Sequence, residues 1–244
     1  MSMLKLFKRL LLFIIAVLAV VILIAGYLGF MPGVSSLFGS DKPKDLGVTY
    51  TAEDYDSYVA KAKVKFEDLA SGLPPRESLK FSGQQDTNAS FLDKEVTAMV
   101  GSDKWKYYPV SNTQIKISSD GMVEVSGTLR LDRLPNYALA EGIISSDYEA
   151  AMDYLKYIKT NPAFYVKGTG YVTDNKVSLN LSQASIGRLN LPQSELIKQR
   201  ASIERFVEGR IKFVPNFNIK SLTFQDGKMN FDGSFPAVQS SSNR

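Results

Sequence analysis

The side chains best suited to chemistry in this sequence are carboxylates that lie close together at three places. They are Asp54 with Asp56, Glu67 with Asp68, and the trio Asp147, Glu149 and Asp153. Two carboxylates flanking a glycosidic bond form the acid/base pair of many glycoside hydrolases. Each group here, however, falls in the first turn or on the polar side of a predicted helix, where capping and solvation account for it. The carboxylates therefore predict no catalytic site.

The absence of cysteine and histidine removes most other catalytic and metal-binding chemistry. Without cysteine the chain has no disulfide, thiol nucleophile, cysteine-zinc site or acylated-cysteine anchor. Without histidine it lacks the usual base for a serine nucleophile and the commonest metal ligand. Gly168-x-Gly170 lacks the third glycine of a dinucleotide loop, and Ser185-Ile186-Gly187 is no nucleophile elbow. We therefore predict no enzyme activity, no cofactor and no metal.

The single tryptophan lies in an aromatic and basic stretch. Trp105, Tyr107 and Tyr108 are interleaved with Lys104 and Lys106. Such a stretch can stack on bases, contact lipid headgroups or a ligand, or cover an edge of the core. The composition favours packing. Contact with a membrane or ligand is the functional alternative, and nucleic acid is the least favoured partner.

The element that positions everything else is the apolar run at residues 10–30, which contains no charged side chain. As a helix it is about 31 Å long, the thickness of the hydrocarbon core of a bilayer. Lys5, Lys8 and Arg9 precede it, and no acidic residue occurs before Asp41. The positive-inside tendency then places the N-terminus in the cytoplasm and the rest of the chain outside the cytoplasm. A cleaved signal peptide and a buried core helix are the alternatives.

The domain plan follows from this anchor: a cytoplasmic basic flank at 1–9, a transmembrane helix at 10–30 and a flexible linker at 31–49. An extracytoplasmic domain at 50–236 and a frayed tail at 237–244 complete it. The formal net charge of +4 falls to near neutrality once the three basic residues of the flank are set aside. The domain therefore carries no charge excess of the kind that nucleic-acid binding requires.

Periodicity predicts helices and hairpins within the domain. A helix begins at Thr51 and its apolar stripe continues to Leu69, and a strand follows at 78–86. A shorter helix at 90–100 turns Leu92, Val96 and Met99 inward. Further helices are predicted at 136–160, in two pieces, and at 193–209. The predicted fold class is α+β: a curved antiparallel sheet packed on long amphipathic helices.

Three hairpins are predicted around Asp120-Gly121, Asp174-Asn175 and Asp226-Gly227. Asp-Gly suits the positive φ angles of a type I′ turn. DGMVEVSGTL at 120–129 and DGKMNFDGSF at 226–235 share one pattern, so a helix-then-hairpin unit is a candidate repeat. Alternatively, any hairpin with a tight turn shows this pattern.

The segments SFLDKEVTAMV, QIKISSDGMVEVSG, IGRLNLP and FNIKSLTFQDGKMNFDGSFP resemble small anchored envelope proteins of bacteria. These are the YpmS-like proteins and the YceB-type lipoproteins, which are similar to the tubular lipid-binding (TULIP) group. The resemblance spans about residues 50–236 and implies a helix cradled by a curved sheet that handles lipid or another hydrophobic ligand. Unlike the lipoproteins, this chain has no cysteine to acylate.

The expected function is therefore binding of lipid or another hydrophobic ligand by a single-pass, membrane-anchored extracytoplasmic protein, without catalysis. The bilayer and a bound lipid or acyl chain are the expected partners, and the candidate groove residues lie on the 193–209 helix: Leu196, Ile203, Phe206 and Val207. The alternative is a structural or assembly factor that docks an envelope protein through its sheet edge or the Trp105 loop.

Overall fold

The computed structural model describes residues 3–143, 149, 152, 153, 155, 158 and 160–243, with side chains from residue 14 onward. The fold is mixed α+β. A strongly curled antiparallel half-barrel sheet is accompanied by helices and by a second, three-stranded sheet. The predicted α+β class and the curved antiparallel sheet are confirmed.

The helices include a long one at the N-terminus and another that follows the second hairpin. In chain order they are α1 (Met3–Leu28), α2 (Val34–Phe38), α3 (Ala52–Ala62), α4 (Asp93–Gly101), α5 (Leu134–Ala140) and α6 (Gln193–Phe213). The strands are β1 (Lys65–Leu69), β2 (Leu79–Ser82), β3 (Gln85–Leu92), β4 (Val110–Ile117), β5 (Val123–Leu129), β6 (Ala163–Thr173), β7 (Lys176–Ile186), β8 (Leu189–Asn190), β9 (Asn218–Gln225), β10 (Lys228–Phe235) and β11 (Val238–Ser242).

The large sheet runs β3-β10-β9-β6-β5-β4, and β7 lies along the other side of β6. β6 pairs with β7 from Phe164 to Thr173, and it pairs on its opposite side first with β5 and then with β9. The register of β6 against β7 shifts between Lys167 and Gly168, so the strand carries a bulge at one of its two glycines. A Cβ on Gly168 would lie 2.5 Å from the Asn180 carbonyl oxygen, so glycine permits this close approach.

All three predicted hairpins form, but their turns differ. Asp174 and Asn175 both have positive φ, as do Asp226 and Gly227, so these two-residue turns match the type I′ geometry. At the first hairpin only Gly121 has positive φ, and the Ser118 N–H bonds to the Met122 carbonyl across a longer loop. The prediction of a type I′ turn at Asp120-Gly121 was therefore wrong.

The helix predicted from Thr51 to Leu69 ends early. Lys63 adopts a left-handed conformation (φ 56°), and its N–H bonds to the Val59 carbonyl as a C-terminal cap. The chain then enters β1, which pairs in parallel with β11. The apolar stripe predicted too long a helix because Tyr58 and Phe66 contact the same core, Tyr58 from α3 and Phe66 from β1.

The helix predicted at 90–100 begins later, at Asp93, because β3 continues through Leu92. Its buried residues are Glu95, Thr97 and Ala98, whereas the predicted inward residues Leu92, Val96 and Met99 are only partly buried. The first piece of the helix predicted at 136–160 is confirmed as α5. Most of its second piece lies outside the described residues.

Both segments predicted to lack regular structure contain some. Val238–Ser242 of the predicted frayed tail is the central strand of the small sheet, between β1 and β2, and Ser242 is fully buried. The sequence did not indicate this strand, because β11 is polar and its pairing depends on backbone hydrogen bonds. The predicted linker holds α2, and its Leu46 and Val48 pack against Tyr165.

α1 extends over 26 residues, and its large apolar side chains are exposed from Ile14 to Ile24. Among the residues whose side chains the structure describes, which begin at residue 14, no helix is long and apolar enough to cross a membrane. The main core lies elsewhere, between α3, α6 and the strands β3, β9 and β10, around the fully buried Phe91.

Candidate functional site

Two of the carboxylates singled out by the sequence, Asp54 and Glu67, make local ion pairs, and Asp147 lies outside the described residues. Asp54 accepts a 3.0 Å hydrogen bond from the Thr51 N–H and pairs with the Lys94 ammonium at 2.8 Å. The hydrogen bond from Lys94 holds the pKa of Asp54 below its ordinary value. Glu67 lies on β1, where it pairs with Lys65. Within the described ranges no group of three or more acidic side chains could hold a metal ion.

Trp105 packs inside the protein. Its side chain is 2% exposed, and its indole N–H donates a 3.0 Å hydrogen bond to the Ser78 hydroxyl. The rings of Tyr107 and Tyr137 flank it at 6.1 and 5.9 Å between centroids. Burial raises the pKa of Tyr108. The packing alternative therefore fits Trp105, whereas Tyr107 and Tyr108 are half-buried, with the Lys106 ammonium over the Tyr107 ring.

The four predicted groove residues on α6 do not share an environment. Leu196 is buried, and Val207 packs against the main core. Ile203 is half-buried, whereas Phe206 is 43% exposed, with the Arg210 guanidinium 5.6 Å from its ring. Neither of the two cavities described below is lined by any of them.

Helix α6 covers the free edge of β7 with two carboxylates. Glu204 accepts a 2.8 Å hydrogen bond from the Leu179 N–H, and Glu208 accepts one of 3.2 Å from the Val177 N–H. Arg200 bonds to Glu204 and lowers the pKa of that carboxyl, and the Leu179 N–H lowers it further. The carboxylates thus occupy the positions that carbonyls of a further strand would take.

Helix α4 covers the edge of β4 in a related way. The hydroxyl of Thr97 accepts a 2.9 Å hydrogen bond from the Ile115 N–H and donates one of 3.1 Å to the Ile115 carbonyl. Thr97 is fully buried. The sheet-edge docking expected for a partner protein therefore meets a covered edge at both β4 and β7.

The end of α1 is joined directly to the domain. Three carbonyls at or just after its end accept hydrogen bonds: Leu28 from the Arg188 N–H (2.9 Å), Gly29 from the Thr160 hydroxyl (2.9 Å) and Gly26 from the Ser40 hydroxyl (2.6 Å). The Leu28 carbonyl is one that a helix end leaves without a partner, whereas the Gly26 carbonyl also accepts a 3.0 Å hydrogen bond from the Gly29 N–H. We call these six residues the helix–domain junction.

Gly187 permits this junction. Its φ is +57°, and a Cβ there would lie 1.9 Å from the Leu28 carbonyl oxygen. Any other residue would push the end of α1 away from the turn between β7 and β8.

An aromatic and cationic group surrounds the junction. The rings of Tyr27 and Phe38 meet edge to face at 5.9 Å, and the Arg188 guanidinium lies 4.6 Å from the Tyr27 ring. Arg188 also donates a 2.6 Å hydrogen bond to the Phe38 carbonyl. Leu37 is 84% exposed beside this group, and Leu189 is 47% exposed.

A cavity of about 290 Å³ opens next to the junction, and we call it the basic cavity. The loop after α2 forms one wall, and the start of β6 with the end of β7 forms the other. Three cations line it, and none of the carboxylates in the described ranges does. The lining residues are Gly39, Ser40, Lys42, Lys44, Ala163, Phe164, Tyr165, Gln183, Ser185, Gly187 and Arg188.

A second cavity, of about 630 Å³, lies over β3, β9 and β10, and we call it the polar cavity. It is lined by Lys63 and by polar side chains that include Asp86, Asn88 and Asn218. Lys220 and Asp232 form a 3.1 Å ion pair within it. Neither cavity is the apolar groove that the sequence led us to expect.

The junction and the basic cavity cannot be read from the sequence. Lys42 and Lys44 fall in the predicted linker, and Gly187 ends the Ser185-Ile186-Gly187 stretch that lacks the features of a nucleophile elbow. The one local clue was Gly187-Arg188, a glycine before a cation at the end of a strand. Comparison with protein-family models, with curated proteins and with solved structures finds no match for this chain.

Proposed function

We propose that this chain is a single-pass membrane protein whose domain lies outside the cytoplasm, directly at the bilayer surface, and binds lipid there without catalysis. The observation that carries the proposal is the helix–domain junction. It ties the end of α1 to the domain at Arg188, Ser40 and Thr160, so an anchored α1 would hold the domain at a fixed distance from the membrane.

The case for α1 as the anchor combines its sequence with its helical extent. Residues 14–28 alone extend about 22 Å, less than the hydrocarbon core of a bilayer. Residues 10–13 are also apolar and helical, so the uncharged part of α1 spans residues 10–28 and extends about 28 Å, close to the thickness of the hydrocarbon core. Lys5, Lys8 and Arg9 then favour a cytoplasmic N-terminus.

The exposed side chains at the junction support contact with lipid. Tyr27 and Phe38 suit the interface between headgroups and acyl chains, where amphipathic and aromatic rings concentrate. Leu37 and Leu189 expose apolar surface on either side of them. A domain held at this level would place both leucines against the bilayer.

The alternative function, docking of a partner protein, finds three of its candidate features occupied. The edges of β4 and β7 are covered, and Trp105 is buried. The polar cavity remains the one feature among the described residues that favours a polar partner.

Two measurements test the proposal. A C-terminal alkaline phosphatase fusion should be active, and a C-terminal fluorescent-protein fusion that matures only in the cytosol should stay dark. The opposite result, or a mature chain that begins beyond Phe30 and is free in solution, would overturn the anchor.

The lipid part is tested by mass spectrometry of organic extracts from the purified full-length chain. We expect Leu189→Ser to retain less lipid than the wild type. Leu139→Ser is the matched control, because Leu139 is similarly exposed on α5 (48% against 47%). Equal retention by both variants would argue against lipid contact at the junction.

A further inference from the structure

The basic cavity concentrates positive charge that the rest of the domain does not neutralise. Lys42, Lys44 and Arg188 line it. Lys42 forms no ion pair with any carboxylate in the described part of the chain. Arg188 is held by the Phe38 carbonyl and the Tyr27 ring, both of which leave its charge uncompensated.

Three carboxylates close to these cations in the chain or in space, Asp41, Asp45 and Glu124, lie outside the lining. Asp45 accepts a 2.8 Å hydrogen bond from the Gly47 N–H. Asp41 accepts a 2.5 Å hydrogen bond from the Ser36 hydroxyl. Glu124 accepts one of 2.5 Å from the Tyr165 hydroxyl and pairs with Lys44 at 3.5 Å and with Lys167 at 3.8 Å. Glu124 thus offsets part of the charge of Lys44, while Lys42 and Arg188 keep theirs.

Lys44 is positioned by packing as well as by charge. Its ammonium lies 3.9 Å from the centre of the Tyr165 ring, which is itself buried on the cavity wall. Polar groups without charge, those of Gln183 and Ser185, complete the lining. Cations beside hydroxyl and amide groups form the donor set that binds phosphate oxygens.

The cavity is also tied to the end of α1. Arg188 lines the cavity with its side chain and bonds to the Leu28 carbonyl with its backbone N–H. Arg188 thus contacts both the cavity and the helix end. If α1 is the anchor, the cavity therefore lies at the depth of lipid headgroups. Cations at that depth can pair with the phosphate groups of lipid headgroups.

We propose that the basic cavity is a phosphate-binding site, formed by Lys42, Lys44 and Arg188, for the phosphate of an anionic phospholipid headgroup or for free phosphate. This deepens the proposed function and rests on it for the lipid source. The phosphate chemistry itself depends only on the cavity.

The test uses the full-length chain in detergent. Native mass spectrometry counts bound phosphatidylglycerol and phosphatidylcholine of equal acyl length, and calorimetry measures inorganic phosphate. The variant Lys42→Gln/Lys44→Gln removes two cations without touching the junction. Lys80→Gln/Lys228→Gln is the matched control, because both lysines are exposed on strands that do not line the cavity. Lys42→Arg/Lys44→Arg keeps the charge.

The wild type should prefer phosphatidylglycerol or bind inorganic phosphate, and the cavity variant should lose about tenfold in that affinity. The control and the arginine variant should bind as the wild type does. Binding of phosphatidylglycerol without inorganic phosphate identifies the lipid as the source, and the reverse identifies free phosphate.

Two results would overturn the site: no lipid preference together with no phosphate binding, or equal losses in the cavity variant and the control. These outcomes are separate from the fate of the anchor. A C-terminus found in the cytosol would end the proposed function while leaving a positive phosphate result intact.

Discussion

The backbone N–H of Arg188 donates a 2.9 Å hydrogen bond to the carbonyl of Leu28 and so joins two parts of the chain that are distant in sequence. One partner is the last residue of α1, and the other is the last residue of the turn between β7 and β8. The contact fixes the end of the N-terminal helix directly to the domain. The sequence had predicted only a flexible linker, at 31–49, between the two.

Gly187→Ala should break this junction. The new Cβ would meet the Leu28 carbonyl and force a left-handed φ on alanine, at a cost of about 1–3 kcal/mol. We expect faster limited proteolysis between residues 30 and 50 in membranes, and a lower melting temperature in detergent. Gly209→Ala is the control, because a Cβ there meets nothing within 4 Å and a helix favours alanine. Equal behaviour of the two variants would mean that the junction does not hold.

The carboxylates over the β7 edge should make its protection depend on pH. The pKa values of Glu204 and Glu208 lie below the ordinary 4.5 in the folded protein, chiefly because of hydrogen bonds from Arg200 and Lys176. Their stabilisation is therefore complete above about pH 4.5 and is lost as the pH falls through the lower folded values. Hydrogen exchange of the Leu179 amide, corrected for intrinsic rates, should accelerate in that acidic range.

Glu204→Gln supplies the control for this dependence. Glutamine keeps an oxygen acceptor for the Leu179 N–H but does not titrate. The exchange of Leu179 should lose its acid dependence, while that of Val177, which bonds to Glu208, should keep it. An unchanged pH profile at Leu179 would show that the edge is protected by something else.

Thr97→Val should destabilise the domain by about 1–3 kcal/mol, although the side-chain volume hardly changes. The substitution leaves the Ile115 N–H and carbonyl without the hydroxyl that serves both. Thr97→Ser retains the hydroxyl and should recover most of the loss. Denaturant unfolding of the two variants measures the difference, and equal midpoints would contradict the edge-covering role.

Trp105→Ala should cost about 3–5 kcal/mol of unfolding free energy, because the indole fills a buried site and bonds to Ser78. As the single tryptophan of the chain, Trp105 also reports its own environment. Its fluorescence should be blue-shifted and poorly quenched by acrylamide, with or without lipid vesicles. Strong quenching by acrylamide that lipid vesicles reduce would show that Trp105 contacts lipid, and it would contradict packing inside the protein.

The sequence predicts those elements of the fold whose pattern lies within one short segment. The hairpin of β9 and β10 follows from alternation around Asp226-Gly227, and helix α6 follows from its apolar stripe. β1 could not be predicted, because Phe66 fits a helical period and a strand equally well. β11 could not be predicted either, since its serines carry no alternation and its pairing is with strands far away in sequence.

The basic cavity could not be predicted from the sequence either, because its residues also come from segments that are far apart in the chain. Lys42, Lys44 and Arg188 come from two segments that only the tertiary fold brings to one cavity. Trp105 stands out in the sequence as the single tryptophan, but in the fold its side chain is buried. An aromatic next to lysines looks the same in a sequence whether the ring faces lipid or Ser78.

The most direct test of the account is the side of the membrane on which the domain lies. The chain has no cysteine, so a single cysteine introduced by Lys228→Cys, at an exposed position on β10, can be labelled alone. A membrane-impermeant maleimide added to intact cells should label this variant fully, without lysis. Labelling only after the cells are opened would place the domain in the cytoplasm and contradict the account.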